Sequence, residues 1–284
     1  MEKNYSHFIE QLRYEMQLRN YSPRTIETYG LLISKLEHFF GLPADKISSS
    51  QLKTFLHARI NDPRGISISC INQHISAFKI LQSDVLGRNW DDIKIKRPRL
   101  PKKLPVVLSM EEVGRIIAVT SNIKHRAIIM LTYSSGLRLQ ETRGLKPADI
   151  DSARMQVHVV QGKGKKDRYT LLSVKTLEIL RQYYKLERPA CFLFEAQGKK
   201  GKPLAEQTYN SIIKKAALKA GIKKRISFHT LRHCFATHLL EQGVNLRLIQ
   251  QFMGHSSIRT TSGYLHLANI NPASIVSPLD SMNF

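Results

Sequence analysis

Between residues 94 and 105 the chain carries Lys94, Lys96, Arg97, Arg99, Lys102 and Lys103 interleaved with Pro98, Pro101 and Pro105. Three prolines exclude a continuous helix here, because each lacks an amide donor and its ring clashes with the preceding turn. A break between one body before this segment and another after it is the expected consequence. Closely spaced cations favour an extended path following a polyanion, although a solvated basic tether would have the same composition. We take residues 91–107 as a linker.

The two flanks read differently. In residues 1–90, Ser22 as N-cap and Pro23 at the first helical position open a helix with Ile26, Tyr29, Ile33, Leu36 and Phe40 at helical spacing. Ser48 and Gln51 have capping-box spacing ahead of Leu52, Phe55 and Leu56. A further helix over about 67–86 places Ile71, Ile75, Phe78 and Leu81 on one side. Four helices fit, which predicts an independent all-α unit.

After the linker, Ser109 with Glu112 caps a helix, and 128–131 supply a buried one before the turn Ser134-Ser135-Gly136. Strands over 155–161 and 168–172 flank Gly162-Lys163-Gly164 as a β-hairpin, and helices follow near 174–186, 205–220, 230–242 and 246–253. The expected fold class is mainly α with a small antiparallel β-sheet. A helical domain (1–90) precedes an α+β domain (108–264) and a tail (265–284).

Charge narrows the partner. Forty-four Lys plus Arg against 22 Asp plus Glu give a net charge of +22 and a pI near 10.1, the footprint of a nucleic-acid binder. No apolar run approaches the roughly 18 residues of a spanning helix, and the start MEKNYSHF has no signal-peptide pattern, so neither membrane insertion nor secretion is expected. Cys70, Cys191 and Cys234 form no C-x-x-C pair, which argues against zinc or a disulfide framework and for a reduced, cytoplasmic protein. Cys234 reads as a buried helix cysteine rather than a nucleophile.

Six residues carry the chemistry: Arg138 in GLRLQE, Lys163 in QGKGKKD, His229 and Arg232 in HTLRH, His255 in MGHSS, and Tyr264 in TTSGY. Cations and proton carriers ending on one phenol suit attack on a phosphodiester, whose transition state needs charge stabilisation, a nucleophile and a proton for the leaving oxygen. Arginine offers a planar fork that matches phosphate, so Arg138 and Arg232 are the expected clamp. A phenol of pKa about 10 is ionised about once in a thousand at pH 7, a deficit of roughly 4 kcal/mol that general-base help must offset. His229 or a phosphate oxygen could receive that proton.

His229 and Arg232 are three apart and share a helical face, at the edge of a stripe formed by Leu231, Phe235 and Leu239. His229 also stands near a helix N-terminus, where an anion is favoured. His238 projects into the stripe and His233 points elsewhere, so both are read as structural. Glu141, three residues after Arg138, is either a surface partner or an orienting group. Lys163 sits between two glycines at a hairpin tip, with Lys165 and Lys166 as alternatives. His255 follows Gly254, a natural helix C-cap, and opens a turn.

This ordered set, with Gly-His-Ser-Ser ahead of the tyrosine, closely resembles the tyrosine recombinase (phage integrase) family, and within it the short Xer-like members. The resemblance covers nearly the whole chain. It implies a two-domain tyrosine recombinase architecture, with residues 1–90 as the core-binding domain and 108–264 as the catalytic domain. It further implies that Tyr264 attacks a DNA phosphate, leaves a 3′-phosphotyrosyl link and frees a 5′-hydroxyl that later attacks a partner strand. The bond energy stays in the link, so ATP, metal and cofactor are not required.

By the same resemblance Lys163 is the general acid and His255 a phosphate contact or proton relay. The tail packs on a neighbouring protomer of a homo-tetramer holding two duplexes of double-stranded DNA, with a second recombinase as a possible partner. Some positions depart from the family pattern: Gly263 precedes the tyrosine where an apolar residue is common, Leu265-His266 follows it in place of Thr-His, and Thr142 stands where a leucine is common. Two alternatives stay open from sequence, a type IB topoisomerase-like swivel and a non-catalytic DNA-binding protein.

Overall fold

The computed structural model describes residues 6–93, 95–99, 104–160 and 167–268. Lys163, parts of the basic linker and most of the tail beyond Leu265 lie outside them. The chain divides into two compact units, Met1–Lys102 and Lys103–Phe284.

The first unit is helical: α1 (His7–Leu18), α2 (Pro23–Phe40), α3 (Ser49–Asn61), α4 (Ile68–Ile80) and the short α5 (Trp90–Ile93). Its helix starts follow their local chemistry. The Ser22 hydroxyl accepts the Thr25 amide at α2, and Ser48 with Gln51 forms a reciprocal capping box at α3. Ile9, Leu12, Ile33, Leu36, Phe55, Ile75 and Phe78 make the core. Where the sequence suggests that the linker begins, Ile95 is buried in this core. Arg97 donates to the Asn72 carbonyl (3.0 Å) and the Ser76 hydroxyl (2.9 Å), so one cation of the basic tether is spent on α4.

The second unit contains α6 (Met110–Ala118), α7 (Ile123–Ser135), α8 (Leu139–Gly144), β1 (Ile150–Asp151), β2 (Gln156–Val159), β3 (Arg168–Leu171) and α9 (Val174–Glu187). Then come β4 (Glu195–Ala196), β5 (Lys199–Pro203), α10 (Glu206–Lys219), α11 (Phe228–Glu241), α12 (Leu246–Met253), α13 (Ile258–Ser262) and a 3-10 turn, Gly263–His266. The expected hairpin is the β2–β3 pair, registered Val157 to Thr170, and β1 adds a third antiparallel strand. A second sheet, β4–β5, escapes the sequence reading because KKGKP is lysine- and glycine-rich, with little strand propensity.

Two apolar clusters fill this unit. The larger includes Val113, Ile128, Leu131, Val157, Leu180, Phe194, Tyr209, Ile213, Phe228, Leu231 and Cys234. The smaller joins Phe235, Ala236, Leu240, Ile249, Met253 and Tyr264. Helix α11 contributes to both, so it is buried on two sides rather than along one stripe. Among the described residues no helix is long and apolar enough to cross a membrane.

Candidate active site

Gly136 ends α7 in the left-handed conformation at φ +60°, and a Cβ there would lie 2.3 Å from the Phe235 ring. This turn brings the chain back as α8, with Arg138 at its N-cap. The Glu141 carboxylate accepts the Arg138 backbone amide and its Nη1, each at 2.7 Å. Both Glu141 oxygens also accept Arg168 Nη1 and Nη2 at 2.8 Å, and Arg232 Nη1 lies 3.8 Å away. The Glu141 side chain is 7% exposed. It is a buried hub, which removes the surface-pair alternative.

The same guanidinium groups cap one helix end. Arg168 Nε donates to the Phe252 carbonyl (2.8 Å), Arg232 Nη2 to the Met253 carbonyl, and Arg138 Nη2 to the Gly254 carbonyl (3.0 Å). The last carbonyls of a helix have no partners within it and form its negative pole, so α12 is a natural dock for cations. Arg232 also donates to the Gly136 carbonyl at 2.5 Å. Gly254 is left-handed at φ +59°, and a Cβ there would approach Arg168 Cδ to 2.8 Å.

Three guanidinium charges against one carboxylate leave +2 on this cluster. Burial opposes ionisation of Glu141, but the hydrogen bonds and charges of Arg168 and Arg138 prevail and hold its pKa at about 2. Burial, then Arg138, pulls Arg232 down to about 9, which leaves it charged at neutral pH. A net positive, preorganised, largely dry set of donors is suited to a tetrahedral oxyanion.

Tyr264 lies in the closing 3-10 turn, 6% exposed, its ring part of the smaller apolar cluster. Its pKa is raised by burial, against the lowering pull of Arg232 and Arg138, so the resting phenol is neutral. The hydroxyl is 2.9 Å from His233 Nδ1. The His255 ring lies parallel to the Tyr264 ring with centroids 6.3 Å apart, and its Nδ1 is 2.9 Å from the buried Thr261 hydroxyl. Burial and the charges of Arg232, Arg138 and Arg168 depress His255 to about 3. His229 is exposed, and its ring meets His233 edge to face at 4.6 Å. Its pKa is lowered by partial burial, Arg232 and Arg138.

Of the six sequence-derived residues, Arg138, Arg232, His255 and Tyr264 converge with His229 beside them; Lys163 falls outside the described residues. Two expectations need correction. Arg232 is 1% exposed, not at the edge of a stripe, because α11 runs between two cores. His233 points at the phenol rather than elsewhere. Its spacing of four from His229, which puts both imidazoles on one helical face, is the signal that could have found it. No local pattern marks Arg168, whose partners are 27 and 84 residues away in sequence.

His238 is structural as expected, linking the Tyr133 hydroxyl (2.8 Å) and the Leu108 carbonyl (2.9 Å). The Cys234 thiol accepts the Leu108 amide and is pushed by burial to about 11, which makes it inert at neutral pH. Gly263 has an ordinary helical φ of −58°. Among the described residues no group of three or more His, Cys, Asp or Glu is placed to hold a metal ion.

Comparison with known proteins gives the same picture for both units. Residues 106–270 match the Phage integrase family, and residues 8–92 match the Phage integrase N-terminal SAM-like domain. A tyrosine recombinase of Thermosipho africanus is 34% identical over 267 residues, covering 90% of this chain and 93% of that protein. Tyrosine recombinase XerA of Pyrococcus horikoshii is 33% identical over 262 residues, covering 91% and 88%. The fold is shared with the XerH site-specific recombinase, solved bound to a palindromic difH substrate, at TM-score 0.70 and 24% identity over 92% of this chain and 82% of that one.

Proposed function

The chain belongs to the phage integrase family and is a tyrosine-type site-specific DNA recombinase, and on that premise we propose how its own residues divide the reaction. Arg138 and Arg232 clamp the non-bridging oxygens of the scissile phosphate. Tyr264 Oη attacks phosphorus, the bond to O5′ breaks, and the strand is left as a 3′-phosphotyrosyl ester. Lys163 protonates the leaving 5′-oxygen. His255 and His229 supply hydrogen bonds to the phosphate from imidazoles that are neutral at pH 7.

The observation that carries this reading is the cluster of three arginines around one buried carboxylate beside a buried phenol. A phosphodiester brings the negative charge that its +2 excess lacks. Arg138 and Arg232 are already oriented by Glu141 and the end of α12, so little reorganisation accompanies binding. Arg168 acts at one remove, holding Glu141 and α12 rather than substrate.

Assembly belongs to the same proposal. Four protomers hold two duplexes in the cytoplasm, residues 1–90 and 108–264 grip the DNA from two domains joined by 91–107, and the tail, 265–284, packs on a neighbour. A second recombinase can replace some of the protomers.

The test uses a nicked duplex that traps the covalent intermediate. Tyr264→Phe is expected to abolish the denaturant-resistant protein–DNA adduct while retaining duplex affinity. An adduct that persists in the variant would overturn the assignment of the nucleophile.

A further inference from the structure

The phenol must lose a proton to become a nucleophile, and burial makes that harder than for a free tyrosine. Direct transfer needs an acceptor within about 2.6 to 3.2 Å of the oxygen. His233 Nδ1 stands at 2.9 Å from the Tyr264 hydroxyl. The histidine side chain is half-buried on α11, one residue after the arginine that anchors to α12. Its ring also packs against the Tyr264 ring at 5.6 Å.

Resting on Tyr264 being the nucleophile, we propose that His233 is the general base of strand cleavage. Its Nδ1, in the Nε2–H tautomer, accepts the phenol proton as Oη bonds to phosphorus and returns it when the strand is resealed. The atoms balance. In cleavage the Oη–H bond breaks, Oη–P forms and P–O5′ breaks, the 5′-oxygen taking its proton from Lys163. In resealing the incoming 5′-hydroxyl gives its proton back to that amine, O5′–P forms, Oη–P breaks, and the phenolate recovers its proton from the His233 imidazolium.

The surroundings make this base conditional on substrate. His233 faces His229 on its own helix, the neighbouring Arg232, and Tyr264 from the closing turn. Burial, then His229 and Arg232, pulls it down to about 4, so in the free protein it is a poor proton acceptor. A phosphodiester seated beside His233 offsets the charge of Arg232, one of these causes, and so raises the basicity of the imidazole when substrate binds, while the larger effect of burial remains. The phenol therefore stays protonated until DNA arrives.

The experiment is single-turnover adduct formation on the nicked duplex from about pH 4 to about 9, a window that spans both the depressed value of the free protein and the ordinary imidazole range. Wild type is expected to accelerate through an inflection in that range and then level off. His233→Asn presents Oδ1 near the position of Nδ1, so it keeps the hydrogen bond and cannot take the proton. It should be about 10² to 10⁴-fold slower, without the inflection and with unchanged duplex affinity. His229→Gln should keep the inflection whatever its rate.

A wild-type rate or an intact inflection in His233→Asn overturns the proposal. If His233→Asn fails to bind DNA, His229→Gln decides: a retained inflection supports His233 and a lost one removes it. Tyr264→Phe in the same assay separates the two levels. Its failure to form adduct beside a fully active His233→Asn removes only the base, whereas an adduct in Tyr264→Phe removes the site reading itself.

Discussion

Glu141→Gln tests the arrangement at its hub. The carboxylate accepts four hydrogen bonds, two from Arg138 and two from Arg168, with Arg232 at 3.8 Å. Its pKa falls from an ordinary 4.5 to about 2, equivalent to about 3 kcal/mol of stability at neutral pH. A second route gives a similar figure, since removing one partner of a buried ion pair costs about 3 to 5 kcal/mol by stranding the other charge.

The sign follows from a depressed carboxylate. Its contribution is complete above about pH 4.5 and is lost as pH falls through about 2. Urea unfolding followed by far-UV circular dichroism should therefore show Glu141→Gln about 3 kcal/mol less stable near pH 7, with the gap closing to about 1 kcal/mol near pH 3. The single tryptophan, Trp90, lies in the first unit, so its fluorescence should report an unshifted transition in the variant. A variant within about 0.5 kcal/mol of wild type at neutral pH, the range of an ordinary surface substitution, would refute the hub. So would a gap that does not change with pH.

Gly136→Ala combines a left-handed backbone with a Cβ 2.3 Å from Phe235, and should lose about 2 to 5 kcal/mol in thermal or urea unfolding. Gly263→Ala, at φ −58° with nothing within 4 Å of the new Cβ, should leave stability unchanged in the same measurement. Duplex affinity should fall about 10³ to 10⁵-fold between about 50 and about 200 mM salt if about six to ten phosphates are contacted, read by fluorescence anisotropy. A flat response would contradict a clamp built on a chain of net charge +22.

What the sequence determined by itself is local. Capping at Ser22, Ser48 and Ser109, the glycine stops at Gly136 and Gly254, and the helical spacing of apolar residues each depend on neighbours a few positions away. Those forces act within a turn and are legible in a short window. The reactive set was legible too, because its residue types are dictated by phosphate chemistry and its order by family resemblance.

Tertiary structure decided which of those groups meet. Arg138 reaches Gly254 across 116 residues, Arg232 reaches Gly136 across 96, Arg168 reaches Phe252 across 84, and His233 reaches Tyr264 across 31. No window contains such pairs. The helical wheel misplaced Arg232 and His233 because it assumes one buried face, whereas α11 packs between two cores. The β4–β5 sheet was missed for a related reason: its pairing comes from the turn between the strands and the packing around them, not from residues that favour strands. A residue's chemistry is written at its own position, but its protonation and its partner are fixed by whatever the fold brings alongside.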